Sequence, residues 1–484
     1  MSNGVIYQPF AWYDHPDPPL WETLAHDAPS LSAKGYTAVW LPPPCKGSGG
    51  IDDQGYGVYD LFDLGEFPDA DLGTRTKYGT KAQLIAAVRV LQQAGLQVYV
   101  DSVFNHKDGG DETETFLAQL VDRNDRNMAL GDWFDIKGWT HFNFPARGNT
   151  HSSMKWHWWH FDALSYNQNF PDRKDDIYRI KNKSFETAVS GEFGNYDYLM
   201  ACDLESSNAE VDGELRWWGR WIVDTLGVDG FRIDAVKHIR RRYFCEWLNH
   251  LRTHFGGREL FAVGEYWSGD VNELHRYLDA TENTLSVFDV PLHYNFFAAS
   301  HAGRDYDLRR IFDYTLVAQR STKAVTFVDN HDTEPTRSLT SFVEPWFKPL
   351  AYALILLRRD GYPCVFAGDL REWTYPDGAH AHDHRFMIET FLRARRDYGF
   401  GDQYDYLDHP NTIGWTRLGD AQHPGAMAVV LGNGTDGDKW MEVRRANATF
   451  TDATGHFTHK VTTNGEGWGN FPCRGGKVSV WLQE

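Results

Sequence analysis

Eight short runs of apolar, β-branched or aromatic residues recur along the first three-quarters of the chain and constrain its fold most strongly. They are near-continuously hydrophobic, as strands of a parallel sheet buried on both faces should be. Helical patterns lie between them; in residues 82–94 the apolar positions share one face, and the pattern stops at Gly95. Residues 215–225 and 243–254 read similarly. Eight strands alternating with helices favour a (β/α)8 barrel over a doubly wound open sheet. The predicted strands are 4–10, 38–42, 97–105, 228–235, 260–267, 284–292, 324–330 and 363–368.

Two stretches depart from this alternation. About a hundred residues rich in Trp, Asp, Asn and Gly separate the third strand from the helix near Leu215, too many for a structureless loop, so they predict an inserted domain. After about Arg396 the pattern changes to short strands with Gly and Asn turns, at 412–416, 426–431, 458–462 and 478–482, which predicts a terminal all-β sandwich. We therefore expect a barrel of residues 1–106 and 209–396, an insert of residues 107–208 and a β domain of residues 397–484.

The charge balance excludes some partners. Lys and Arg number 48 and Asp and Glu 67, giving a net charge of −19, which argues against nucleic acid and against anionic membranes. No apolar run approaches the length of a membrane span; the longest, residues 350–357, ends at Arg358. The first ten residues lack the features of a signal peptide, so we expect a cytoplasmic protein, or a secreted one with its leader removed. Five cysteines are scattered without CxxC spacing, which argues against a disulfide framework and against a zinc site. Separately, we expect a monomer.

Polar residues cluster where the predicted strands end, and such ends converge over the mouth of a barrel. Any single one could be a salt-bridged barrel residue, because charge on an apolar strand is costly unless it is paired or used. Three carboxylates together with Arg232 and two histidines argue against that interpretation. The carboxylates are Asp234, Glu265 and Asp332.

Three such carboxylates suit cleavage of a glycosidic bond, in which one attacks the anomeric carbon and another, as the acid, protonates the leaving oxygen. Crowding raises the pKa of one carboxyl group, so a Glu can stay protonated near neutral pH. Arg232 stands two residues before Asp234 on one strand and points the same way, so it would hold Asp234 ionised.

These segments resemble the four signature regions of the α-amylase family of retaining glycoside hydrolases, and their order and spacing match. They read DSVFNH at 101–106, GFRIDAVKH at 230–238, GEYW at 264–267 and FVDNHD at 327–332. The chain is most similar to the liquefying, endo-acting α-amylases of bacilli and some fungi, through residues 55–67, 194–200, 408–415 and 464–469. The resemblance covers nearly the whole chain. It implies endo-hydrolysis of α-1,4-glucosidic bonds in starch, glycogen and maltooligosaccharides by retaining double displacement.

By that resemblance Asp234 is the nucleophile, Glu265 is the general acid and then the base, and Asp332 stabilises the transition state by binding sugar hydroxyls. Other matching positions bind substrate. The resemblance places His106, Arg232 and His331 around the cleavage subsite, Tyr56 as its stacking platform, and Lys237, His238 and Trp267 on the leaving-group side. A packed core tyrosine is the alternative for Tyr56, but its flanking glycines favour stacking on a ligand.

The resemblance also implies a structural Ca²⁺ between the barrel and the insert. Its ligands map to Asn105, Asp197, Asp203 and the carbonyl of His238, which are the hard oxygen donors that calcium prefers. The alternative is a set of solvated loop acids. We do not expect a second metal ion beside the first, because residues 204–208 lack the run of aspartates found in bacillar relatives and Glu186 stands where they have an aspartate. Nor do we expect a metal ion between domains near residues 410, 411 and 433, where the acidic and imidazole ligands of relatives are missing.

Other functions remain open at this point. The nearest is a family member of narrower action, such as a maltooligosaccharide-forming amylase or a transglycosylase. A catalytically dead binding protein on this fold is disfavoured because all three carboxylates are present. A metallohydrolase barrel would need a convergent histidine-rich ligand set, which the sequence lacks. The histidines of 380–384 and the aromatic run of 156–160 are interpreted as a surface loop and as packing residues.

Overall fold

A computed structural model describes residues 3–484 and contains a closed barrel of eight parallel strands, as predicted. The first strand pairs with the last, Ile6 opposite Cys364, and with the second, Ile6 opposite Ala38, which closes the ring. The strands are β1 (Ile6–Gln8), β2 (Ala38–Leu41), β3 (Gln97–Ser102), β4 (Gly230–Ile233), β5 (Phe261–Gly264), β6 (Ser286–Phe288), β7 (Ala324–Phe327) and β8 (Tyr362–Phe366).

Helices alternate with these strands and cover the barrel. Their apolar faces are buried, as in Lys81–Gln93, where Thr80 and Gln83 form a reciprocal capping box and Leu84, Val88 and Leu91 face the core. The helices are Leu20–Lys34, Lys81–Gln93, Ala209–Leu226, Tyr243–His254, Val271–Ala280, Val290–Ala302, Leu316–Gln319, Lys348–Leu356 and Arg385–Tyr398.

The predicted sixth strand extended too far. β6 ends at Phe288, and the next residue, Asp289, caps the helix Val290–Ala302 by accepting the N–H of Leu292 at 3.2 Å. Residues 290–292 are therefore helical. Their apolar character reflects burial against the barrel, and an apolar run by itself does not distinguish a buried strand from a buried helix.

The interval between β3 and β4 carries a sheet of its own. Six strands pair in the spatial order His106–Lys107, Cys202–Leu204, Phe161–Leu164, Ile177–Ile180, Glu112–Val121 and Phe134–His141. All of its neighbouring strands are antiparallel. The first strand of this sheet, His106–Lys107, follows the C-terminal end of β3, and its last strand along the chain, Cys202–Leu204, precedes the helix that leads to β4. These two strands pair with each other, which places the sheet at the barrel rim.

The C-terminal region is all-β, as predicted. A six-stranded sheet has the spatial order Gln403–Tyr406, Thr412–Arg417, Met427–Gly432, Lys477–Gln483, Thr449–Asp452 and Val461–Thr462. A two-stranded sheet, Gly437–Glu442 with Trp468–Cys473, packs against it around Met441, Phe450 and Phe471. The run predicted at 458–462 forms a strand only at its last two residues.

The sequence analysis also made expectations about disulfides and about membrane spans. All five cysteines are buried, and none is paired within the described residues. Over residues 3–484, no helix combines the length and the apolar character needed to cross a bilayer.

A buried lysine ties the end of β7 to the end of β8. Lys348 is 1% exposed, and its Nζ lies 2.9 Å from Asp329 Oδ2 and also pairs with Asp369. Asp369 further accepts the hydroxyl of Tyr352 at 2.6 Å. The pairing compensates two buried carboxylates and holds Asp329, which begins the loop that carries Asp332.

We predict that Lys348→Met lowers the free energy of unfolding by about 3–5 kcal/mol, because removing one partner leaves buried charge uncompensated. Urea denaturation followed by tryptophan fluorescence measures the change. The matched control is Lys477→Met, at an exposed lysine, which should alter stability by less than about 0.5 kcal/mol. Equal denaturation midpoints for the two variants would contradict the assignment.

Candidate active site

A cleft of about 780 Å³ opens at the C-terminal rim of the barrel. The three carboxylates predicted from the sequence all line it, although they follow three different strands: Asp234 follows β4, Glu265 follows β5 and Asp332 follows β7. Active sites of such barrels lie at this face. The structure therefore brings the predicted acidic residues into one site.

Arg232, in β4, occupies the centre of this acidic group and is completely buried. Its Nη1 donates to Asp234 Oδ1 at 2.6 Å and to Asp101 Oδ1 at 3.0 Å, and its Nη2 lies 2.8 Å from Glu265 Oε2. One guanidinium thus holds three carboxyl groups. One cation cannot compensate three buried carboxylates, so ionising all three requires more free energy than ionising them in water. The carboxyl groups should therefore have different pKa values.

The pKa values of the two central carboxyl groups do separate. Burial raises the pKa of Asp234 to about 6, although Arg232 opposes the rise. Burial raises the pKa of Glu265 to about 8, against the effect of Arg232 and with the negative charges of Asp234 and Asp332 adding to the shift. Between these values Asp234 is an anion while Glu265 keeps its proton.

The backbone next to β4 orients Glu265. Ala235 adopts a left-handed conformation, with φ of 49°, which is unfavourable for a residue that has a Cβ. This turn directs the Ala235 N–H to Glu265 Oε2 at 3.2 Å. Since Oε2 also faces Arg232, Oε1 is the oxygen left free of both contacts.

Asp332 is held by charged and polar neighbours on both sides. Its Oδ1 accepts from Arg337 Nη2 at 3.3 Å, and its Oδ2 lies 3.3 Å from His331 Nε2. The Asn330 side chain accepts its backbone N–H at 2.9 Å. Burial alone would raise the pKa of Asp332, but the charges of His331, Arg232 and Arg337 lower it below the usual value.

An aromatic group forms one wall of the cleft. The Tyr56 ring stacks on His331, with centroids 5.0 Å apart and planes 12° apart, and more distantly on Trp12, at 6.1 Å. Its hydroxyl donates to Asp101 Oδ2 at 2.8 Å. His106 Nε2 lies 2.8 Å from the Tyr56 carbonyl. Tyr56 is therefore fixed at both ends while its ring borders the cleft.

The opposite wall contains Lys237, His238 and Trp267. Lys237 Nζ donates to the Trp267 carbonyl at 2.9 Å, and Trp267 Nε1 donates to the Tyr294 hydroxyl at 3.0 Å. His238 Nδ1 lies 2.7 Å from the Tyr196 carbonyl. Burial lowers the pKa of His238 to about 3, so this imidazole is neutral at ordinary pH.

Two predicted substrate residues lie behind the cleft wall rather than in it. Arg232 is fully buried and His331 is 1% exposed, and each contacts a carboxylate or a ring that borders the cleft. Sequence reasoning missed Asp101, Trp12 and Arg337. Asp101 opens the motif at 101–106 and could have been found there, whereas Trp12 and Arg337 lie in loops with no local signal.

A second acidic group lies in the insert. Carboxylate oxygens of Asp162, Asp197 and Asp203 all lie within 4.8 Å of one another, and the three residues are buried. Asn105 Nδ2 donates to Asp203 Oδ1 at 3.1 Å, which joins this group to the end of β3. The structure thus brings together three of the predicted metal ligands and adds Asp162, which the sequence analysis missed.

The chemistry of this group suits a cation. Both oxygens of Asp162 and Oδ2 of Asp203 are buried without a hydrogen-bond donor. Burial, followed by the mutual repulsion of the carboxylates, raises the pKa of Asp162, Asp197 and Asp203 well above the usual value. A divalent ion would supply the missing positive charge, and oxygen ligands of this kind favour calcium.

At the contact between the barrel and the C-terminal region, the side-chain amides of Asn411 and Asn433 form hydrogen bonds. Asn433 Nδ2 donates to the carbonyls of Gly303 and Tyr306, each at 2.8 Å. Asn411 Nδ2 donates to Asn433 Oδ1 at 2.9 Å. Neutral amide donors therefore bind these carbonyl oxygens directly.

Comparison with known proteins identifies the family of this chain. The profile of the α-amylase catalytic domain matches residues 30–394, and that of the α-amylase C-terminal domain matches residues 431–482. An α-amylase of Geobacillus stearothermophilus is 48% identical over 99% of this chain and 87% of its own length. A glucan 1,4-α-maltohexaosidase of Bacillus sp. (strain 707) is 49% identical over 100% of this chain and 93% of its own. A cytoplasmic α-amylase of Escherichia coli (strain K12) is 40% identical over 100% and 99%.

Among solved structures, the α-amylase of Geobacillus thermoleovorans in complex with acarbose superimposes with a TM-score of 0.65 at 16% identity, covering 100% of this chain and 98% of that one. This likeness supports the fold. The sequence matches go further: the chain belongs to the α-amylase family. It is a glycoside hydrolase of that family, whose members cleave internal α-1,4-glucosidic bonds.

Proposed function

We propose that this enzyme cleaves internal α-1,4 bonds of starch, glycogen and maltooligosaccharides by a retaining double displacement, with Asp234 as nucleophile and Glu265 as acid and base. The observation that carries the proposal is the pair of carboxyl groups on one guanidinium, with Asp234 at 2.6 Å and Glu265 at 2.8 Å from Arg232. A retaining enzyme needs its two carboxyl groups about 5–5.5 Å apart, closer than an inverting one does. Attachment to neighbouring nitrogens of one side chain favours the closer spacing.

In the first step, Asp234 attacks the anomeric carbon while Glu265 protonates the departing oxygen. Asp234 Oδ1 accepts from Arg232, so Oδ2 is the attacking atom. Glu265 Oε2 faces Arg232 and the Ala235 N–H, so the transferable proton belongs on Oε1. In the second step, Glu265 takes a proton from water, which displaces Asp234 from the sugar and restores both groups.

The remaining cleft residues position the sugar. Asp332, kept ionised by the charges of Arg232 and Arg337, accepts hydroxyls of the ring undergoing cleavage. The Tyr56 ring supplies a flat face for stacking at that subsite, with His106 fixed behind it. Lys237, His238 and Trp267 form the wall on the leaving-group side. Because one chain supplies every one of these residues, the proposal treats the enzyme as a monomer.

For the insert we propose one structural calcium ion, held by Asp162, Asp197, Asp203 and Asn105 with the His238 carbonyl. Bound there, the ion would neutralise the acidic group and join the insert to the barrel. Asn105 precedes His106 and Asp197 follows Tyr196, so the ligands are continuous with residues that touch the cleft. The ion would act on stability and on the shape of the cleft.

A narrower product range is the second candidate, because one relative at 49% identity is named a maltohexaosidase. The time course of products from soluble starch separates the two functions. Rapid loss of viscosity with mixed oligosaccharides supports random internal attack, whereas early accumulation of one oligosaccharide supports the narrower one. The 40% identical cytoplasmic relative makes glycogen, as well as starch, a polymer to test.

We predict that Asp234→Asn and Glu265→Gln each lower kcat on the order of 10⁴-fold or more, because each removes a group that reacts in the transition state. Proton NMR of the wild-type reaction should show the α-anomer as the first product. The control is Asp52→Asn, an exposed carboxylate lining the same cleft, which should lower kcat by less than about tenfold. Near-native turnover by either catalytic variant, with unchanged circular dichroism, would refute the assignment.

The pH dependence of kcat/KM should be bell-shaped. Below about 6 Asp234 gains a proton and loses its nucleophilicity, and above about 8 Glu265 loses the proton that it must donate. Activity is therefore expected to peak near pH 7. Initial rates on a soluble maltooligosaccharide across pH 4–10 test this, and activity that keeps rising above pH 9 would exclude Glu265 as the acid.

If the insert binds calcium, Asp162→Asn should lower stability relative to the wild type in the presence of calcium but not in its absence. With calcium at about a hundred times its Kd the wild type gains about 2.7 kcal/mol, and the variant should gain much less. In chelator the variant should be at least as stable as the wild type, because one of three repelling carboxylates is gone. Thermal unfolding in both conditions measures this, with the exposed Asp172→Asn as control. A variant that is equally destabilised with and without calcium would contradict the site.

A further inference from the structure

A second large pocket lies between the insert and the helix Ala209–Leu226. Its volume is about 790 Å³, and it shares no lining residue with the active-site cleft. Trp159 and Trp217 both line it, and each is 39% exposed. A pocket of this size falls within the range of small-molecule sites, so two accessible indoles in one concavity require an explanation.

Both indoles are held rigidly. Trp217 Nε1 donates to the His151 carbonyl at 2.7 Å. The Trp159 ring stacks on His157, with centroids 4.2 Å apart and planes 12° apart, and His157 Nδ1 lies 2.9 Å from Glu114. Rigid aromatic faces lose little conformational entropy when a ligand stacks on them, so the pocket is prepared for a ligand with flat apolar faces.

The polar groups of the pocket suit a neutral ligand with many hydroxyls. Glu210 lies 2.9 Å from His160 Nε2, and the largely buried Glu214 pairs with Ser152. Lys155, whose Nζ donates to the Asn143 and Gly148 carbonyls at 2.6 and 2.7 Å, adds one positive charge to the lining of the pocket. Burial lowers the pKa of His160, which keeps that imidazole neutral. Mixed donors and acceptors with little net charge disfavour a phosphate ligand and fit sugar hydroxyls.

We propose that this Trp159–Trp217 pocket binds a segment of α-1,4-glucan without cleaving it. Glucose rings present apolar faces to the indoles and hydroxyls to Glu210, Glu214 and Lys155. The pocket has no guanidinium-bridged carboxyl pair of the kind that Arg232 holds, so the bound segment is not hydrolysed there. The inference rests on the enzyme's action on α-glucan polymers; its effect would be to hold a long or insoluble substrate near the cleft.

The double variant Trp159→Ala/Trp217→Ala tests the proposal. Adsorption to insoluble starch granules should weaken about tenfold, and hydrolysis of granules should fall, while kcat/KM for a short soluble maltooligosaccharide should change less than twofold. The matched control is Trp133→Ala/Trp373→Ala, which removes two indoles of similar exposure, 37% and 38%, outside the pocket. Adsorption of the test variant equal to that of the control would overturn the proposal.

A second measurement does not depend on how the alanine variants fold. In Glu265→Gln protein labelled with 5-fluorotryptophan, addition of maltoheptaose should shift the fluorine resonances of Trp159 and Trp217 but not those of Trp133 and Trp373. Unmoved resonances at Trp159 and Trp217 would also overturn the proposal. Because the resonances report binding and not turnover, the result is separate from any failure of the catalytic assignments.

Discussion

The active site depends on one buried cation. Arg232 lies inside the barrel with no exposed surface, and it pairs with Asp101, Asp234 and Glu265 at once. Without it, three carboxyl groups at the strand ends would repel one another in a medium that solvates them poorly. With it, they are held together while their pKa values remain unequal. The same arrangement therefore provides both the geometry and the protonation states that cleavage of a glycosidic bond requires.

The barrel and the insert contribute to the cleft in different ways. The barrel supplies Asp234, Glu265 and Asp332, which follow strands that are paired on both sides. The insert supplies a wall through Tyr196 and brings Asp162, Asp197 and Asp203 up to the end of β3. These acids are buried and repel one another, so a bound cation would stabilise the wall as well as the insert.

Much of the fold was predictable from local pattern. Eight apolar runs gave the eight barrel strands, and the change of composition after residue 396 gave the terminal β region. The errors lie at element ends. Residues 290–292 are as apolar as a strand, but Asp289 caps a helix there. Such an apolar run indicates burial and does not indicate which secondary structure is buried. The capping contact of Asp289 depends on the backbone conformation, which the run does not specify.

The sequence by itself predicted the barrel, the insert and the meeting of Asp234, Glu265 and Asp332 in one cleft, because short motifs at strand ends carry that information. The tertiary structure decided what surrounds them. Asp101 and Asp162 join their sites through contacts with residues far away in the chain, Arg232 and Asp203. No local pattern encodes those distances, since side chains become neighbours only when the barrel closes and the insert folds against its rim.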